Sequence, residues 1–359
     1  MTSKDTLKQI IRLYLKDEKS SLLDINEREL FELANALNVS AVVAYVLNNN
    51  GYKSEIASKC IYKAIRNYER LKEAKIKIEN LFNKNNINYL NIKGLSIAKY
   101  YEEPYLRYSG DIDIVVEKKD YDKAFSLMIN TLGYENKQNA LHEITLVNKD
   151  GINLDFHSNF LLDLDKYEEV FNTQFNENHE FNDNYKYLFH LVHGAMHLIR
   201  GQMELRYFID LFYLRKNVDR LAIDEEINRL DLTIFDDAVN SYLDCILGLK
   251  EYDEMDNKID SFINRYSKDL GASNRVLNQS NHKLSYFIHH IFPSFKIMRG
   301  KYPILEKWPI LLPIMYVKRN IGVLFTPRRN YVVNELKTGI ISNNTTDITD
   351  SLGLKNYKQ

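Results

Sequence analysis

Arg107-Tyr108-Ser109-Gly110-Asp111-Ile112-Asp113-Ile114-Val115-Val116 decides how this chain is read. A Ser-Gly turn runs straight into an apolar strand that begins with two carboxylates spaced i and i+2. Side chains so spaced on a strand share a face. Asp111 and Asp113 therefore project side by side, while Ile112 and Ile114 pack on the opposite face. Two carboxylates this close repel unless a cation lies between them or one is protonated. The cation that suits an all-oxygen site is Mg²⁺, which takes one or two carboxylates plus substrate phosphates. The stretch points to metal-assisted phosphoryl chemistry.

Upstream, the pattern predicts a short strand from Ile87 to Ile92, a Lys93-Gly94 turn and a helix from Leu95 to Tyr101. Downstream, Asp111 to Glu117 reads as a strand and Tyr121 to Leu132 as a helix. His142 to Val147 and Ile152 to His157 read as a hairpin, because Asp150-Gly151 between two apolar alternations is a strong turn signal. The second of these strands supplies a third acid. In Asn153-Leu154-Asp155-Phe156-His157, Asp155 shares a face with Asn153 and His157. Beside the Asp111 strand, Asp155 would complete a trio able to hold two Mg²⁺ ions for in-line phosphoryl transfer. Ser109 and Gly110 would bring a hydroxyl and backbone N–H groups to phosphate oxygens, since Gly110 lacks a Cβ.

These residues, in this order, resemble the polymerase-β-type nucleotidyltransferases. They are most similar to an uncharacterised bacterial branch found with polysaccharide and peptide-modification genes. The matching parts are Ile92-Lys93-Gly94, Arg107 to Asp113, Asp155-Phe156-His157, the helix carrying His190 to His197, and Arg206-Tyr207-Phe208-Ile209-Asp210-Leu211. The resemblance covers roughly residues 85 to 215. It implies an Mg²⁺-dependent enzyme, with Mn²⁺ as an alternative ion, that moves a nucleoside monophosphate from an NTP such as ATP to an acceptor and releases pyrophosphate. Asp111, Asp113 and Asp155 would be the catalytic and metal-binding residues. Ser109, Gly110, Lys93, Gly94, Arg107 and His157 would bind nucleotide. One departure stands out: Gly94 is followed by Leu95 rather than by Gly or Ser, so the phosphate cradle is built differently. Abortive-infection toxin nucleotidyltransferases share the turn and the carboxylate motif. The acceptor therefore stays open between a small molecule, a peptide and RNA. A toxin-like enzyme acting on tRNA or protein and a catalytically silent nucleotide-binding protein are the alternatives.

Plainer readings sit beside these. Lys93 can be a solvated turn residue, and Arg107 can pair with Glu102 or Glu103. His193 and His197 have the i, i+4 spacing of two zinc ligands, but Gly194 stands where a metalloprotease helix has Glu. A core or substrate-facing role is the simpler one for His190, His193 and His197, with packing favoured. Asp210 lies among apolar residues and needs a partner, for which Arg206 at i−4 is the local candidate.

The whole chain bounds the rest. Its 359 residues hold 48 Lys+Arg and 49 Asp+Glu. So balanced a charge excludes a broad positive field for nucleic acid, though not a local basic groove. Two distant cysteines, Cys60 and Cys245, build neither a disulfide scaffold nor a Cys-based metal site, which fits the cytoplasm. No apolar run is long enough to span a bilayer. Trp308 to Val317 is read as core, with membrane-surface docking as the alternative. The fold class is α+β: a small mixed-sheet core at 86–165 between a helical region at 1–85 and a helical domain at 166–340, with a mobile tail at 341–359. Asp24 to Glu27 has capping-box spacing, and the clearest later helices are Tyr185 to Ile199, Met203 to Leu214, Ile234 to Leu249 and Leu284 to Ile291.

Overall fold

The computed structural model describes residues 2–20, 25–139, 143–158, 160, 165–199, 203–265, 291–295, 298–299, 302, 304–324 and 348–354. In chain order these form α1 (Ser3–Lys16), α2 (Glu27–Ala36), α3 (Ser40–Asn49), α4 (Glu55–Lys84), β1 (Tyr89–Asn91), α5 (Leu95–Ala98), β2 (Asp111–Val116) and α6 (Tyr121–Asn130). There follow β3 (Glu135–Asn139), β4 (Glu143–Val147), β5 (Asn153–His157), α7 (Asp165–Asn172), α8 (Asp183–Ile199), α9 (Leu205–Leu214), α10 (Arg220–Arg229), α11 (Thr233–Leu247) and α12 (Glu254–Arg265). Further helical segments lie at Ile304–Lys307 and Leu312–Leu324. The architecture is α+β, with one mixed sheet.

The sheet runs β1-β2-β5-β4-β3. Only β2 and β5 are parallel, and every other neighbouring pair is antiparallel. Alternation along β2 and β5 gives the sheet two faces. Ile112, Ile114, Val116, Leu154 and Phe156 turn to one face, where Leu71, Ala74, Ile78 and Phe82 of α4 and Ala124 and Met128 of α6 cover them. Each such fully buried side chain stabilises the fold by roughly 1.5–3 kcal/mol relative to exposure. Asp111, Asp113 and Asp155 are left on the opposite face.

A second, larger core joins α1, α2, α3 and the start of α4 to α8, α9 and α11. The two helical flanks therefore share one interior. Helix α4 belongs to both cores: Ala57 and Ala64 face the helical one, and Leu71 to Phe82 face the sheet. Its start is fixed by Ser54, whose hydroxyl accepts the Ala57 N–H at 2.9 Å.

Several local expectations shift. Asn26 caps α2, accepting the Glu29 N–H at 3.3 Å, and Asp24 lies outside the described residues. The helix after Gly94 stops at Ala98 rather than Tyr101. The expected helix from Leu284 to Ile291 is almost wholly outside the described residues. Of the tail, Ile348, Leu352 and Leu354 are buried in the helical core, so this part is anchored rather than mobile. Its spaced apolar side chains supply the reason. Trp308, Ile310, Ile314 and Val317 are exposed rather than core, because Pro309 and Pro313 place their helical turns without aligning one apolar face inward.

Candidate active site

Asp111 and Asp113 open β2, and the parallel register sets Asp113 directly beside Asp155 of β5. All three carboxylates thus share the polar face of two adjacent strands. Thr145, opposite Asp155 on β4, donates its hydroxyl to Asp155 Oδ1 at 3.0 Å. The Lys93-Gly94 turn brings an ammonium into the group: Lys93 Nζ lies 2.9 Å from Asp113 Oδ1. His157 Nε2 is 3.8 Å from the same oxygen.

Gly94 makes this approach possible. Its φ is +63°, a left-handed conformation that L side chains rarely adopt, and an added Cβ would lie 3.4 Å from Ser109 Oγ and 3.8 Å from Asp113 Oδ2. The electrostatics are unbalanced. Repulsion by Asp113, reinforced by burial, pushes the Asp111 carboxyl up to about 7 despite Lys93. For Asp113, burial pushes upward, but Lys93 and His157 outweigh it and hold the group at about 2. Burial alone would lower Lys93; Asp113, Asp111 and Asp155 together raise it above the usual lysine range.

Arg107 is not at the surface with Glu102 or Glu103. It is buried, and its Nε and one terminal nitrogen donate to the two oxygens of Asp210 at 2.9 and 2.8 Å. Its other terminal nitrogen donates to Ser109 Oγ at 2.7 Å. Tyr101 donates its hydroxyl to Asp210 at 2.6 Å. The partner of Asp210 is thus Arg107 and not Arg206, which instead donates to the Tyr108 carbonyl and to Glu204. Arg206 shares that face of α9 but its guanidinium is taken by the Tyr108 carbonyl and Glu204, whereas Arg107 is buried beside the carboxylate that needs charge. The pair holds Asp210 below the usual range against its burial. Ser109 is further pinned through its carbonyl, which accepts from Asn67 Nδ2 at 2.8 Å.

A cavity of about 160 Å³ opens over the carboxylates, lined on one side by Lys93, Gly94, Arg107, Ser109, Asp111 and Asp113. The facing wall comes from α8 and α9, and includes His193, His197, Glu204 and Arg206. Gly110, Asp155 and His157 do not line it; Gly110 is exposed, and the other two sit beside it on β5. Sequence reasoning left these histidines between packing and a substrate-facing role; the i, i+4 pair His193 and His197 lies in the facing wall, and what the sequence did not place there is Glu204 and Arg206. His193 and His197 bring their Nε2 atoms to 3.0 Å of one another, and His193 Nε2 is 3.4 Å from Lys93 Nζ. An ammonium can only donate, so where Lys93 meets His193 the Nε2 atom is the acceptor. His190 is core: burial lowers it to about 4, and it stacks on Tyr207 at 4.7 Å.

The donor set suits Mg²⁺. Buried Asp113 is met by the Lys93 ammonium, Asp111 is pushed toward protonation by its neighbour, and every candidate ligand is a carboxylate oxygen. Among the described residues no group of three or more His, Cys, Asp or Glu side chains is gathered closely enough to hold a metal ion by itself. Mg²⁺ does not require one, because it keeps several waters and shares its coordination with substrate phosphates. No helix among the described residues is long and apolar enough to cross a membrane. No curated protein and no solved structure matches the chain. Residues 24–244, which contain the three carboxylates, the Arg107–Asp210 pair and both walls of the cavity, match a family described as uncharacterised nucleotidyltransferase, and the chain belongs to that family.

Proposed function

We propose that this chain moves a nucleoside monophosphate from an NTP to an acceptor hydroxyl or phosphate and releases pyrophosphate. The observation that carries the reading is the in-register trio Asp111, Asp113 and Asp155, left mutually repelling at the edge of a cavity. Asp111 and Asp113 would hold two Mg²⁺ ions, with Asp155 as a further ligand; Mn²⁺ would serve in their place. When bound, the ions supply charge neutralisation at the triphosphate and make the acceptor a better nucleophile.

The chain's own groups do the rest. Asp155 takes the acceptor's proton as the acceptor oxygen bonds to the α-phosphorus. The bond from that phosphorus to the bridging oxygen breaks, and pyrophosphate leaves. Lys93 offers its ammonium to phosphate oxygens. Ser109, Gly94 and Gly110 let the phosphate chain approach closely. Arg107 acts through Ser109, because its three nitrogens are already engaged. His157 steadies Asp113. The free thiols of Cys60 and Cys245 fit a cytoplasmic protein.

The test is pyrophosphate release from each of the four NTPs with Mg²⁺ and lysate as the acceptor source. Asp111→Asn/Asp113→Asn, purified identically, is the control. Release that requires both carboxylates supports the reading. Mg·NTP binding without release would favour a nucleotide sensor, and neither binding nor release would overturn both.

A further inference from the structure

On the back of the sheet, a groove of about 610 Å³ runs between α4 and the β4–β5 turn. Arg66, Arg70 and Lys77 line it from α4, and Lys149 from the turn, against only Glu73 and Asp150. All four cations are exposed. Three other lysines of α4 are matched within the helix: Lys59 with Glu55, Lys72 with Glu69 and Lys75 with Glu79. None of the four groove cations pairs with a carboxylate among the described residues. An ordinary solvated helix face mixes its charges; this groove brings four unmatched cations together.

The groove is tied to the carboxylate end of the sheet. Arg70 donates to the Asp150 carbonyl. Asn67, one residue past Arg66, holds the Ser109 carbonyl. Asn153, three residues past Asp150, pairs with Asp111 itself. From Arg66 to Lys77 the helix advances about 16 Å, enough to follow several successive phosphates of an extended strand.

We propose that this groove binds the phosphodiester backbone of a single-stranded nucleic acid that presents its end as the acceptor. The strand's role as acceptor rests on the nucleotidyl-transfer reading; its binding stands apart from it. The near-neutral net charge of the chain is consistent with a track confined to one groove.

The experiment measures anisotropy of labelled single-stranded RNA and DNA, each about a dozen nucleotides long, against the full chain over a range of salt. The comparison variant is Arg66→Gln/Arg70→Gln/Lys77→Gln/Lys149→Gln, whose changes are all at exposed positions. The wild type should bind with a log–log salt slope of about −3, from roughly −0.7 for each of four neutralised phosphates. The variant should lose about tenfold or more in affinity and most of that slope. Equal binding of RNA and DNA supports backbone recognition alone, and preference for RNA adds contact with the ribose hydroxyl. Unchanged affinity in the variant, no binding of either strand, or capture of anionic vesicles in preference to strands would overturn the proposal. Calorimetry with Mg·NTP separates the two readings. Strand binding lost in the variant while wild type binds no NTP retains the groove and removes nucleotidyl transfer. NTP turnover without strand binding removes the groove alone.

Discussion

Arg107 and Asp210, 103 residues apart, meet through two hydrogen bonds in the interior and join helix α9 to the turn that enters the carboxylate strand. Because the third nitrogen of Arg107 holds Ser109, the pair fixes both the interior and the rim of the cavity. Breaking one partner of a buried ion pair leaves the other charge uncompensated, which costs about 3–5 kcal/mol. Asp210→Ala is expected to destabilise by that amount in urea unfolding. Arg107→Lys should also destabilise, since an ammonium lacks the planar fork that matches a carboxylate.

Asp111 makes stability depend on pH. Its carboxyl sits at about 7 in the fold, above the ordinary aspartate range, so the folded state binds its proton more tightly than the unfolded chain does. That contribution is complete at low pH and is lost as pH rises toward 7. Asp113, held at about 2, changes only in strong acid, where it removes stability as pH falls. Without added metal, Asp111→Asn should be more stable than wild type at pH 7.5 by on the order of 1–3 kcal/mol. The gap should close toward pH 4.5, and Mg²⁺ at pH 7.5 should narrow it by stabilising the wild type. Thermal melts of both proteins across this range provide the measurement; a gap that stayed constant with pH would refute the assignment.

On the proposed reading, Lys93 would compete with a divalent cation for the same carboxylates. Lys93→Gln should therefore bind Mn²⁺ in the absence of nucleotide about tenfold more tightly than wild type, by calorimetry. The same variant should lose turnover, because the ammonium no longer reaches the phosphate chain. Weaker Mn²⁺ binding would mean that Lys93 does not sit as the cluster's counter-cation.

Gly194 lies where α8 packs against α9, and a Cβ there would overlap the Tyr207 ring. Overpacking of this kind costs roughly 1–3 kcal/mol. Gly194→Ala should lower the melting temperature and displace the wall carrying His193. Gly110→Ala meets only the Tyr108 hydroxyl at 4.0 Å and should leave stability nearly unchanged.

The faces of β2 and β5 were legible in the sequence because alternation alone decides them. Strand β3 was not: Glu135-Asn136-Lys137-Gln138-Asn139 has no apolar alternation, and its place at the sheet edge demands none. Asp210 announced its need for a cation, but a chain pattern reaches only a few residues. Arg107 answered from another motif, and its position before a buried strand was the one clue. The cavity's second wall required tertiary packing, since helical spacing says which histidines align but not what they face. Gly194 looked like a missing catalytic Glu and is a packing requirement.

Helix α4 runs through both interiors, with Ala57 and Ala64 in one and Ile78 and Phe82 in the other. A fragment cut at residue 86 would strip the sheet of the side chains that cover its apolar face. The catalytic module is therefore expected to express only with this helix attached. Heat or urea should melt the N-terminal helices and the sheet in one transition, so loss of either abolishes the other.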